Sequence, residues 1–118
     1  MSLKLLLVDD EVNLVDPMAY TLQQKGFETA VAYNGQQALR LFESEDPDLI
    51  LLDVLLSGKD GREIALKLKK QEITKHIPIV MMSDHPTAHK TIHDYLADDF
   101  IDKPFDIEFL MNKIKAHM

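Results

Sequence analysis

Five times along the chain a short apolar run is followed by a longer stretch, and in most of those stretches the apolar residues recur at helical spacing. Few folds accommodate that alternation. The runs are Leu3–Val8, Glu28–Ala32, Leu49–Leu52, Ile77–Met82 and Asp99–Ile101. The helical sets are Leu14, Met18 and Leu22; Ala38, Leu39 and Phe42; Ile64, Ala65 and Leu68; and Leu110, Met111 and Ile114. Residues three or four apart share one face of a helix. Strands alternating with helices of this length indicate a parallel sheet covered on both faces, an α/β fold. The third and fourth runs are apolar without alternation, as central strands buried on both sides require. In such a sheet, chemistry gathers beyond the carboxyl ends of the strands.

Punctuation supports the boundaries. Asn34–Gly35 precedes the second helix and Asp60–Gly61 the third. Gly26 is placed to close the first helix as a left-handed cap. Asp106 is placed to cap the last helix, with Phe105 and Leu110 as a hydrophobic staple. Asp16–Pro17 admits two readings. Either the first helix begins late, with Asp16 capping and Pro17 in its first turn, or proline kinks a helix already under way; we adopt the second.

With 118 residues, 46% of them hydrophobic, the chain can build one core and is read as one domain over residues 1–118. The formal charge of −7 argues against a nucleic-acid surface, because phosphates demand clustered Lys and Arg. Lys67–Lys70 is the basic exception, and with Leu66 and Leu68 interleaved it reads as a solvated helix face. There is no cysteine, so disulfides, thiolate nucleophiles and zinc–sulfur sites are excluded. The first apolar run is too short for a signal peptide's core or a membrane span. The expectation is a soluble, cytoplasmic protein.

The residues just past the strand ends carry the chemistry. Strand one runs into Asp9, Asp10 and Glu11; strand three ends in Asp53, strand four in Ser83, strand five in Lys103–Pro104. In a parallel sheet these meet on one rim. Crowded carboxylates repel one another unless a cation sits among them, and an all-oxygen donor set suits Mg²⁺. A carboxylate attacking a phosphoryl group needs that metal to join two anions, together with fixed donors for the equatorial oxygens. Asp53, ending a buried strand, suits the nucleophile; Asp9 and Asp10 suit the metal; Lys103 and the Ser83 hydroxyl suit the donors. Taken singly, an aspartate at a strand end is more often a turn or cap. The coincidence of four such ends is what points to a site.

LLLVDDE at 5–11, DPDLILLDVLLSGKDG at 46–61 and FIDKPF at 100–105 together resemble response-regulator receiver domains, over essentially the whole chain. The resemblance implies a flavodoxin-like (βα)5 doubly wound fold with strand order 2-1-3-4-5. By position, Asp53 would be the phosphoacceptor, Asp10 a direct Mg²⁺ ligand, Asp9 a ligand largely through water, and the Leu55 carbonyl the remaining protein ligand. Ser83 matches the switch hydroxyl, Lys103 the phosphoryl-binding lysine and Phe100 the aromatic residue that reports phosphorylation; the Lys103–Pro104 bond would be cis. Such a domain is not an enzyme in the turnover sense, although it catalyses its own phosphorylation and dephosphorylation. The implied partners are a sensor histidine kinase or phosphotransfer protein and a downstream protein or fused output domain. A homodimer could form through the fourth helix, fifth strand and fifth helix, where Lys90, Asp98, Asp99 and Lys113 mix their charges.

The sequence departs from the family pattern at several positions. Asp84 follows Ser83 where a small residue is usual, placing a carboxylate near an incoming phosphoryl group and raising the alternative of an interaction module that is never phosphorylated. Ser57 replaces a common proline and Leu96 a common glycine. Leu55 and His85 occupy the positions that help place the hydrolytic water, and leucine cannot orient water, so a long-lived phosphorylated state is expected. His85, His89 and His93 share a helical spacing that reads as a solvated face rather than a metal site. Hydrolase chemistry of the haloacid-dehalogenase kind would need Asp-x-Asp after strand one. Flavin binding would need a phosphate-accepting loop where Asp9–Glu11 would repel the ligand.

Overall fold

Alternate residues of each inner strand face opposite helical layers, which is why the strand sequences lack polar alternation. The computed structural model describes residues 3–56, 59–71, 76–83 and 97–117. In order they form β1 (Lys4–Val8), α1 (Val12–Gln24), β2 (Glu28–Ala32), α2 (Gly35–Glu45), β3 (Leu49–Asp53), β4 (Leu55–Leu56), β5 (Lys59–Asp60), α3 (Gly61–Lys69), β6 (Ile79–Ser83), β7 (Asp99–Asp102) and α4 (Ile107–Ala116). The main sheet has five parallel strands in the order β2-β1-β3-β6-β7. Counted along the chain without the short β4–β5 pair, that is the expected 2-1-3-4-5, the flavodoxin-like doubly wound arrangement.

Leu6, Val8, Ile50, Leu52, Ile79, Met81 and Phe100 pack with Ala38 and Phe42 of α2 and Ile64, Ala65 and Leu68 of α3. Their neighbours Leu5, Leu7, Leu49, Leu51, Val80, Met82 and Ile101 pack on the other face against Val15, Met18 and Leu22 of α1 and Leu110 and Ile114 of α4. Each such Val, Leu, Ile, Met or Phe side chain removed from water contributes about 1.5–3 kcal/mol before entropy is counted. The sheet is thus fixed from both sides, and its carboxyl rim becomes a rigid platform.

The caps explain where the helices stop. Gly26 has φ 101°, and its N–H donates to Gln23 while that of Phe27 donates to Leu22, the paired bonds of a Schellman motif. The Asn34 side chain accepts from Gln37 N–H at 2.8 Å, and the Gln37 side chain in turn accepts from Tyr33 N–H at 2.9 Å. Asp106 accepts from Phe109 N–H at 2.8 Å, with Leu110 buried and Phe105 packed on the same cluster. Pro17 lies inside α1, which begins at Val12, so the late-start reading with Asp16 as cap does not apply. Asp16 instead accepts from the Tyr33 hydroxyl at 2.7 Å.

Two expectations need adjustment, and one element is new. The fourth apolar run becomes a strand only from Ile79, because Pro78 has no N–H for the ladder, and the strand extends to Ser83. Lys69 is not part of a solvated face: its ammonium pairs with Asp98 at 2.6 Å, while Lys67 and Lys70 are exposed. The short antiparallel β4–β5 pair was not foreseen from the sequence. It forms where the chain doubles back after β3, so that Gly61 N–H reaches the Val54 carbonyl at 2.6 Å.

Candidate functional site

The register of the sheet decides which side chains meet. Val8 pairs with Leu52, Asp53 with Met82, and Ser83 with Asp102, so Asp9, Asp53, Ser83 and Lys103 emerge at adjacent strand ends. Backbone bonds hold the loops in line with the strands. Asp9 N–H donates to Ala32, Val54 N–H to Met82, and Lys103 N–H to Ser83, at 2.9–3.0 Å. The Lys103–Pro104 peptide is cis, as the resemblance implies.

Asp9, Asp53 and Ser83 are the buried polar residues at this rim. One carboxylate oxygen from each of Asp9, Asp10 and Asp53 lies within 4.8 Å of the others, Asp10 being the half-buried member. Asp9 is held on both sides: its Oδ1 accepts from Glu11 N–H and its Oδ2 from the Lys103 ammonium, each at 2.9 Å. The same ammonium lies 3.5 Å from Asp53 and 3.5 Å from Glu11. Burial pushes the Lys103 pKa down, but the bond to Asp9 and the charges of Asp53, Asp9 and Glu11 more than offset it, and the net displacement is upward. Lys103 is therefore a fixed cation at neutral pH.

Three clustered carboxylates against one ammonium leave two formal negative charges. All the donors are hard oxygens, so the set fits a divalent ion of the Mg²⁺ kind and offers nothing to a thiophilic metal. Gly61 closes the floor of the site. A Cβ there would overlap the Asp53 carbonyl oxygen and crowd that of Val54, so only a glycine lets the start of α3 pass so close to the acidic strand end. The sequence signals this contact only as an Asp-Gly pair eight residues after Asp53.

Phe100 is buried against the α2–α3 side of the sheet and also borders a groove of about 450 Å³ with Asp102, Pro104, Phe105, Asp106, Phe109 and Lys113. Of the charges assigned in sequence to a dimer face, Asp98, Asp99 and Lys113 are engaged within the chain. Asp98 accepts from Ile79 N–H and pairs with Lys69; Asp99 pairs with Lys113 at 3.0 Å and His117 at 2.8 Å. Leu55 lies in β4. Ser57, Asp84, His85, His89, Lys90, His93 and Leu96 fall outside the described residues. Among the described residues no helix is long and apolar enough to cross a membrane.

A doubly wound parallel sheet with an acidic cluster and a lysine at its carboxyl rim defines a class of fold and site. Residues 5–115 match the response regulator receiver domain family, and the chain belongs to that family. Solved structures agree. The chemotaxis response regulator CheY4 of Vibrio cholerae superimposes with a TM-score of 0.92 at 27% identity, covering 100% of both chains. A two-component response regulator from Clostridium difficile gives 0.89 at 28% identity, over 98% of this chain and 95% of that one. NtrX from Brucella abortus gives 0.89 at 33% identity over 99% of this chain but 27% of that one, so there the same fold is one part of a longer polypeptide.

Proposed function

We propose that the chain is a phosphorylation switch of a two-component system, in which Asp53 accepts a phosphoryl group from a histidine kinase or phosphotransfer protein. The observation that supports this most is the juxtaposition of buried Asp53 with two further carboxylates and the Lys103 ammonium. Asp9, Asp10, Asp53 and the Leu55 carbonyl are the residues that would hold Mg²⁺. When bound, the ion offsets the charge between carboxylate and phosphoryl group and makes their approach feasible.

The chain's own groups do the rest. An Asp53 carboxylate oxygen forms the new bond to phosphorus as the bond to the donor's imidazole nitrogen breaks, its electron pair remaining on the ring. The Lys103 ammonium shifts from Asp9 toward a phosphoryl oxygen, and the Ser83 hydroxyl donates to another. Because Ser83 and Phe100 lie on paired strands, a pull on Ser83 biases the packing of Phe100 and the β7–α4 face. That face then favours or disfavours a downstream protein or a fused output domain. Self-association through the same face would form around the intrachain Asp98–Lys69 and Asp99–Lys113 pairs. A cytoplasmic location suits these partners. The domain turns over no external substrate.

Beryllofluoride with Mg²⁺ tests the reading by NMR. A competent site shifts the amide resonances of Asp53, Ser83 and Lys103 only when both reagents are present. Unchanged spectra would favour an interaction module that is never phosphorylated.

A further inference from the structure

Glu11 has no task in the scheme above. It is the N-cap residue of α1, yet its carboxylate makes no capping hydrogen bond; the backbone carbonyl serves the helix, accepting from Leu14 and Val15 N–H. The side chain is 58% exposed. It turns instead toward the site, where Glu11 Oε1 and Asp53 Oδ2 each lie 3.5 Å from Lys103 Nζ and so stand no more than about 7 Å apart. Glu11 also borders an open groove of about 260 Å³ with Leu14, Lys103, Pro104 and Phe105. A negative charge without a structural duty thus stands beside the phosphoacceptor, on the ammonium assigned to the incoming group.

From this we infer that Glu11 is a charge gate. Its carboxylate shares the Lys103 ammonium with Asp9 and Asp53 and repels highly charged phosphodonors, so it selects among donors by charge. The inference rests on the reading of Asp53 as phosphoacceptor. A separation of about 7 Å is inside the Debye length of about 8 Å at physiological salt, so the repulsion acts on a donor approaching Asp53 and fades as salt rises.

Two small donors separate charge from chemistry. With acetyl phosphate, a dianion, the Asp53 oxygen bonds to phosphorus and acetate leaves with the electron pair of the broken P–O bond. With phosphoramidate, a monoanionic zwitterion, ammonia leaves with the P–N electron pair, its nitrogen already protonated. Labelling rates by intact mass, with Mg²⁺ present, are compared for the parent chain, Glu11→Gln and Glu11→Lys at low and high salt. Glu11→Gln is expected to quicken labelling by acetyl phosphate about threefold at low salt, and Glu11→Lys more. The gain with phosphoramidate should be clearly smaller, and both gains should shrink at high salt. Equal gains for the two donors, gains indifferent to salt, or no gain would overturn the role of Glu11 alone. A parent chain that neither donor labels would overturn the reading of Asp53 and the gate with it.

Discussion

The Lys103 ammonium sits 2.9 Å from Asp9 and 3.5 Å from Asp53, so it is closer to a carboxylate proposed to hold the metal than to the proposed phosphoacceptor. On the proposed reading, a divalent ion held there would compete with the lysine for the same carboxylate. Lys103→Met strands the buried Asp9 carboxylate and should lower stability on the order of 3 kcal/mol without metal, as broken buried pairs do. Millimolar Mg²⁺ should restore much of that loss and bind the variant more tightly than the parent. Thermal unfolding with and without Mg²⁺ reads both effects; an equal response in the two chains would show that the lysine and the ion do not share Asp9.

Asp99 joins β7 to the end of α4 through Lys113 and His117. Burial raises its pKa, but bonds from His117, the Phe100 N–H and Lys113 outweigh that, and the net displacement is below the ordinary value of 3.8. A depressed carboxylate contributes stability above its unfolded pKa and loses it as pH falls through the folded one. Asp99→Asn should thus cost about 1 kcal/mol at neutral pH, and the gap to the parent should close below pH 3.8. Urea unfolding from pH 7 to pH 3 measures it, and a gap independent of pH would rule out the linkage.

Gly61 lies so close to the Asp53 carbonyl that any side chain must displace one of them. Gly61→Ala should destabilise the fold by about 1–3 kcal/mol, the usual range for overpacking. The larger consequence should be slower phosphorylation, since the strand end carrying Asp53 must move. Parent-like labelling in a destabilised variant would show the contact to be structural only.

Asn34 caps α2 through Gln37 N–H, a bond that involves none of the clustered carboxylates, and so provides a contrast. Asn34→Ala should cost about 1 kcal/mol by removing the bond to Gln37 N–H, with labelling kinetics unchanged. Chemical denaturation paired with a labelling time course checks both halves.

The resemblance places Leu55 where a side chain would help position the hydrolytic water. Leucine has no hydrogen-bonding atom, so on that reading Leu55→Asn should shorten the half-life of the phosphorylated chain several-fold. A half-life that does not fall would remove leucine as its cause.

Much of this was legible in the residues because the fold repeats one local rule. The non-alternating runs at Leu49–Leu52 and Ile77–Met82 announce strands with helices on both sides, and parallel register then brings Asp9, Asp53, Ser83 and Lys103 to one rim. Caps such as Asn34 and Asp106 are equally local, needing only a side chain and an amide three residues on. Long-range pairings were not legible. That Lys69 reaches Asp98, that Lys103 prefers Asp9 to Asp53, and that Gly61 abuts Asp53 depend on loop paths, which spacing does not encode. Glu11 was visible only as the third acid of a run, and its approach to Lys103 follows from the turn that begins α1.

On the proposed function, Asp53 becomes a phosphoaspartate with the help of a divalent ion. Intact-mass analysis after treatment with acetyl phosphate or phosphoramidate tests it directly, comparing the parent chain with Asp53→Ala in the presence of Mg²⁺ and of a chelator. The expected result is a gain of one phosphoryl group in the parent with Mg²⁺, and none in the other three cases. A parent chain left unmodified, or Asp53→Ala labelled to the same extent, would contradict it.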